Sequence, residues 1–224
     1  MKSKIITILT LVIAISTLSF KKPEKKILFF GDSITNAGTH GEDAYINKIG
    51  YYANQDGLNP ELINAGIGGN KVTDLFLRLK SDVLDKSPDI VVVYIGINDI
   101  WHKTLQGTGV SFSKFGGFYD AIVQELLKEN IKVILCTPSV IGECTDFTNQ
   151  NDGDLNKYSL WIKNYADSRD IPFINLRKSF LEYNLKHNSD NVSKGILTTD
   201  GVHLNKEGND LVAKEMWTTI KALL

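Results

Sequence analysis

Ser33 follows four apolar residues, a glycine and an aspartate in the stretch KILFFGDSIT, Lys26 to Thr35. A serine hydroxyl is a weak nucleophile unless a base takes its proton. The chain holds four histidines: His40, His102, His187 and His203. Only His203 has a carboxylate placed to orient its ring, because Asp200 precedes it by three residues with Gly201 between them. A turn there folds the carboxylate onto one imidazole nitrogen and leaves the other free to face a serine, which is the logic of a Ser/His/Asp triad. Acyl transfer also needs donors for the developing oxyanion. Gly69, in AGIGGN, offers a backbone N–H with no side chain in the way, and Asn98, in GIND, offers a side-chain amide. Each residue also has an ordinary reading. Ser33 caps helices well, Asp200 begins a turn-forming Asp-Gly pair, GIGG suits a flexible turn, and Asn98 can bond its own backbone.

The elements that must position these residues can be read from periodicity. Strands are expected at Lys26–Phe30, Glu61–Asn64, Ile90–Ile95, Lys132–Cys136 and Pro172–Asn175. Three of them are continuously apolar, as strands covered on both faces should be. Helices are expected at Asp43–Gln55, Val72–Leu84, Tyr119–Asn130, Leu155–Ser168 and Asn205–Leu223. The alternation predicts an α/β fold, a five-stranded parallel sheet with helices on both faces. The flavodoxin-like strand order 2-1-3-4-5 is the first expectation. GDSIT, AGIGGN and GIND then follow the first three strands, and TTDGVHLN, Thr198 to Asn205, precedes the last helix. The first three thus lie on the carboxyl edge of the sheet, where open α/β folds bind ligands. The stretches Ile100–Gly117 and Ser139–Gly153 read as irregular loops on that edge, the first carrying Trp101, His102, Phe112 and Phe115, with Phe118 and Tyr119 just beyond. Such aromatic residues either stack on a sugar, line an acyl pocket or pack the loop onto the domain.

Bulk properties bound the alternatives. A chain of 224 residues suits one domain of ordinary size. Apolar content of 42% with 23% charged residues is that of a globular protein. The net charge is −1 with no basic block, so nothing supports nucleic-acid binding or polybasic membrane attachment. Residues 1–24 have the layout of a secretory signal: two lysines, an apolar run and a charged stretch. The same segment, uncleaved, would be an N-terminal anchor. In either case residues 25–224 are expected to form the catalytic domain and to face an export compartment. Cys136 reads as a buried strand residue and Cys144 as a loop residue, free or paired with each other. No Cys/His cluster has zinc-like spacing. Neither a phosphate-binding GxxxxGK[ST] nor a dinucleotide GxGxxG is present, and the G-x-S-x-G elbow is missing.

Taken in order, GDSIT, NAGIGGN, GIND and DGVHLN resemble the four blocks of the GDSL family, also called SGNH hydrolases. The match runs from Lys26 to the C-terminal helix. The third block has Ile97 where many members have a second glycine, and keeps the Asn. The resemblance implies a three-layer α/β/α fold and ester hydrolysis through a serine acyl-enzyme, with no metal or organic cofactor. Residue by residue, Ser33 looks like the nucleophile, and Asp200 and His203 like the acid and the base. The Ser33 N–H, Gly69 and Asn98 look like the oxyanion donors, with Gly68 as the alternative glycine. Asp32 belongs to the first block and is read as structural, its carboxylate bonding backbone amides near the turn. Asp32, Trp101 and His102 also form the group expected near enough to touch substrate. The family acts on lipids, thioesters, small esters and O-acetylated sugars. An exported member without a lid-like apolar helix fits a short-acyl, O-acetyl esterase acting on carbohydrate. A small ester or acetylated glycan is then the expected partner, and nothing in the sequence marks an oligomeric state. The rival readings are a lysophospholipase or thioesterase-type hydrolase, and a carbohydrate-binding protein with a decayed site on the same fold.

Overall fold

The apolar run before Ser33 forms an interior strand, flanked on both sides. In the computed structural model, which describes residues 24–224, strand β1 spans Lys26–Gly31. The expected signal or anchor lies, but for its last residue, outside the described residues. The other strands are β2 (Glu61–Gly66), β3 (Ile90–Tyr94), β4 (Lys132–Cys136) and β5 (Phe173–Ile174). All pair in parallel, in the expected order β2-β1-β3-β4-β5. Ile27, Leu28, Phe29 and Phe30 are buried, as is every residue of β3, because helices cover both faces.

The helices are α1 (Ser33–Ala37), α2 (Tyr45–Gln55), α3 (Val72–Asp82), α4 (Ile97–Leu105), α5 (Phe112–Lys128), α6 (Asp152–Asp167), α7 (Leu176–His187) and α8 (Lys206–Lys221). Right-handed crossovers in this strand order send α2 to one face and α3, α5 and α6 to the other. Helix α8 packs on α2 and so completes the first layer. Trp217 Nε1 donates to Asp56 Oδ2 at 2.8 Å across that contact. Among the described residues no helix is long and apolar enough to cross a membrane.

Register is what matters for function. Gly31, the last residue of β1, pairs with Gly66 of β2 and Tyr94 of β3. The three strands therefore end level, and the segments after them emerge side by side. Two expectations need correction. Most of the supposed loop Ile100–Gly117 is helical, forming the end of α4 and the start of α5, and α7 was not foreseen. Its aromatic residues largely pack the domain. Phe115 and Tyr119 are fully buried against Tyr158 and Trp161, with Phe115 and Tyr158 ring centroids 4.8 Å apart. Phe118 meets Phe76 edge-on at 5.5 Å. Cys136 and Cys144 are both free thiols.

Candidate active site

The turn from β1 into α1 presents Ser33. A methyl group at Gly31 would fall 2.2 Å from Thr35 Oγ1 and 2.4 Å from Tyr94 O, so strand and helix can meet this closely only with glycine there. Asp32 is the N-cap of α1, and its carboxylate accepts the Ile34 N–H at 3.0 Å. Ser33 opens the helix, with its N–H among the unpaired donors of that end. Ser33 Oγ lies 2.9 Å from His203 Nε2. On the other side of the ring, Nδ1 lies 2.7 Å from Asp200 Oδ2. The second carboxylate oxygen accepts the N–H groups of Val202 at 2.9 Å and His203 at 2.8 Å. Burial pushes the Asp200 carboxyl up, but these hydrogen bonds outweigh it and hold it below the usual carboxylate value. An ionised Asp200 accepts a hydrogen bond from Nδ1–H and so leaves the Nε2 lone pair for the serine hydroxyl.

A second turn sits against Ser33. Residues Ile67–Asn70 close on a hydrogen bond from Asn70 N to Ile67 O of 3.3 Å, with Gly69 at φ +77° in the third position. A type II turn demands that left-handed value. A methyl at Gly68 would lie 3.9 Å from Ser33 Cβ, which sets the turn beside the serine. The N–H groups of Ser33, Gly68 and Gly69 have no acceptor among the described residues, so both glycines remain candidate donors. Helix α4 grips the far end of this turn. Asn98, 3% exposed, donates through Nδ2 to Asn70 O at 3.0 Å, which leaves the second amide hydrogen available. Both oxygens of the buried Asp99 lie 3.2 Å from Val72 N. Burial pushes the Asp99 carboxyl up to about 7, against the Val72 N–H and reinforced by Asp32. Three chain segments thus bring unpaired or partly paired N–H donors to the neighbourhood of Ser33, the kind of group that stabilising a tetrahedral oxyanion requires.

The three residues expected near substrate separate. Trp101, one turn after Asn98, meets the His203 ring edge-on at 6.4 Å between centroids and borders the site. His102 is buried beside Lys71 at the start of α3, and burial, with that lysine, lowers its pKa. Its next-door Trp101 faces the site and His102 does not, because successive helix residues point about 100° apart. Asp32 is 2% exposed and is corrected from substrate contact to cap. Burial pushes its carboxyl up to about 7, opposed by the Ile34 N–H, His203 and Arg78. Among the described residues no group of three His, Cys, Asp or Glu could hold a metal ion.

Several residues around the site carry no local signature in the sequence. Glu143, 1% exposed, accepts the N–H of Leu197 at 2.7 Å and of Ile196 at 2.8 Å, and so holds the segment leading to Asp200. It lies in the loop after β4, which is irregular up to the start of α6, as expected. Arg78 of α3 bonds both the β1 end and the glycine turn. The only clue to either was placement, since both follow segments of the carboxyl edge.

Comparison with known proteins finds relatives over most of the chain. A model of the GDSL-like Lipase/Acylhydrolase family matches residues 29–211. An acetylxylan esterase of Geobacillus stearothermophilus is 32% identical, over 85% of this chain and 91% of that protein. The crystal structure of the acetyl xylan esterase AlAXEase superposes with a TM-score of 0.84 at 52% identity, covering 87% of this chain and 99% of that one. The uncharacterised lipoprotein YqeF of Bacillus subtilis is 26% identical, over 83% of this chain and 85% of that protein.

Proposed function

Because the chain belongs to the GDSL-like lipase/acylhydrolase family and is a carboxylic ester hydrolase, we propose that Ser33, His203 and Asp200 are its catalytic triad and that it removes acetyl groups from carbohydrate. One observation carries the reading: the continuous relay from Asp200 through the His203 ring to Ser33 Oγ, with contacts of 2.7 and 2.9 Å. His203 Nε2 takes the hydroxyl proton as Ser33 Oγ attacks the ester carbon. The carbonyl oxygen gains the charge and is held by the Ser33 N–H, the Gly69 N–H and the Asn98 amide. Collapse expels the alcohol, protonated by His203, and leaves acetyl on Ser33. Water, deprotonated by the same nitrogen, attacks the acyl-enzyme, and the second tetrahedral species releases acetate and restores Ser33. Asp200 stays ionised throughout and keeps the ring in its orientation.

The substrate class rests on two supports. The named relatives are acetylxylan esterases. The site is also open, with the His203 and Asp200 side chains 38% and 48% exposed. An exposed triad beside Trp101 suits a small acyl group carried on a bulky sugar, which can stack on an aromatic ring. Export is part of the proposal, supported by the layout of residues 1–24 and by the lipoprotein relative. The test is acetate release from acetylated xylan fragments by the native chain and by Ser33→Ala, alongside a series of esters with lengthening acyl chains. Loss of activity in Ser33→Ala, with acetyl esters fastest, supports the proposal. Full activity in the variant refutes the triad, and rates that rise with acyl length refute the substrate class.

A further inference from the structure

Arg78 occupies an unusual position for a charged side chain. It sits on α3, only 13% exposed, with its guanidinium 4.6 Å above the Phe30 ring. Its donors diverge onto three different pieces of chain. Nη2 donates to Gly31 O at 2.9 Å, Nε donates to Asn70 Oδ1 at 2.7 Å, and Nη1 meets Asp82 Oδ2 at 2.9 Å. Gly31 lies two residues before Ser33, and Asn70 directly follows Gly69. One planar cation therefore spans the nucleophile turn and the glycine turn.

Asn70 is the point where the two oxyanion donors meet. Its side chain takes the Arg78 bond, its carbonyl takes the Asn98 amide at 3.0 Å, and its own N–H closes the turn that contains Gly69. We infer that Arg78, acting through Asn70, is a positioning residue that sets the Gly69 N–H and the Asn98 amide at their distances from Ser33. The inference rests on the proposed catalytic reading. Asp82 holds the third arm of the guanidinium at the far side, and the Phe30 face limits its tilt, so the fork has one orientation. A lysine has no planar fork and cannot reach both turns with directed bonds. Neither Arg78 nor Asn70 needs to touch the ester. Both act because an oxyanion donor misplaced by about 1 Å costs about 10²-fold in rate.

Asn70→Ala removes only the side-chain acceptor and keeps the carbonyl that binds Asn98. It should lower kcat about tenfold to a hundredfold while KM stays within about twofold, because the loss is felt in the transition state. Arg78→Lys should fall by a similar factor. The pair Asn70→Ala with Arg78→Lys should be no slower than the slower single change, since both break one link. Asn70→Asp keeps an acceptor for Nε and should recover kcat to within about fivefold of the native chain. Affinity for methylboronic acid, which forms a tetrahedral adduct on the serine, should weaken in step with kcat/KM. A native kcat in Asn70→Ala, an Asn70→Asp as slow as Asn70→Ala, or multiplying effects in the pair each overturn the inference. Fluorophosphonate labelling of the native chain separates the two levels: failure to label Ser33 refutes the triad, whereas labelling with an unaffected Asn70→Ala refutes only the role of Arg78.

Discussion

Replacing Asp200 by asparagine changes one charge at a site where both carboxylate oxygens are committed. Oδ1 accepts two backbone N–H groups, from Val202 and His203, at 2.9 and 2.8 Å. An amide oxygen can take over both, so the loop should keep its shape. Oδ2 faces His203 Nδ1 at 2.7 Å, and there the substitution puts an NH2 group where an acceptor stood. Two donors cannot face each other, so Nδ1 gives up its hydrogen and the proton moves to Nε2. The nitrogen 2.9 Å from Ser33 Oγ then donates and can no longer take the hydroxyl proton. A tautomer inverted in this way costs about 10⁴-fold in kcat in a triad of this kind, close to 5.5 kcal/mol of barrier. Stability should hardly change, because the pair is nearly half exposed and the backbone acceptors survive. The assay is kcat for p-nitrophenyl acetate together with a thermal melt, with a Tm shift within about 3 °C. Asp200→Ala provides the contrast, since it also strands the two N–H groups and should lose stability as well as rate. An Asp200→Asn variant with more than about a tenth of the native kcat would refute the orienting role.

The remaining predictions concern the surroundings of that relay. Asn98→Ala removes a donor and unpairs Asn70 O, and should lower kcat about 10²–10³-fold; an unchanged kcat for p-nitrophenyl acetate removes the amide from the oxyanion site. Ser33→Ala should also abolish labelling by a fluorophosphonate probe, and a labelled variant would point to another nucleophile. The Asp99 carboxyl titrates at about 7 when folded and at the ordinary value of 3.8 when unfolded. Between these values the folded chain holds a proton that the unfolded chain has released. Its contribution is therefore fully present below about pH 4, declines by up to about 1.4 kcal/mol per pH unit as pH rises, and is lost above about pH 7. Asp99→Asn should lessen the fall in urea stability between pH 4 and 7, leaving the share that the buried Asp32 contributes over the same range, and an unchanged slope would show that Asp99 ionises like an exposed carboxylate.

Much of this molecule is readable from local pattern, for a physical reason. Strand alternation with helices needs only neighbouring residues, and right-handed crossovers turn it into a sheet order. Asp200 and His203 are three residues apart, so a turn suffices to pair them, and their partnership is visible in the chain itself. The N-cap role of Asp32 is equally local, reaching only two residues ahead. Local reasoning fails where an element exists for the sake of a distant one. Helix α4 begins with Ile97, Asn98 and Asp99, and the last two direct their side chains at Asn70 O and Val72 N on another segment. Polar residues used this way make a helix start look like a loop. His102 reads as a loop residue near the substrate until the start of α3 is packed beside it. The links that assemble the site have still longer spans: Arg78 to Gly31, Glu143 to Leu197, and Ser33 to His203 across 170 residues. The sequence by itself determined which residues carry suitable functional groups and which edge of the sheet the first three blocks share. Only the level ends of β1, β2 and β3, and the buried side chains that tie the loops beyond them, decided that these residues meet, because a hydrogen bond between remote segments leaves no periodicity in either one.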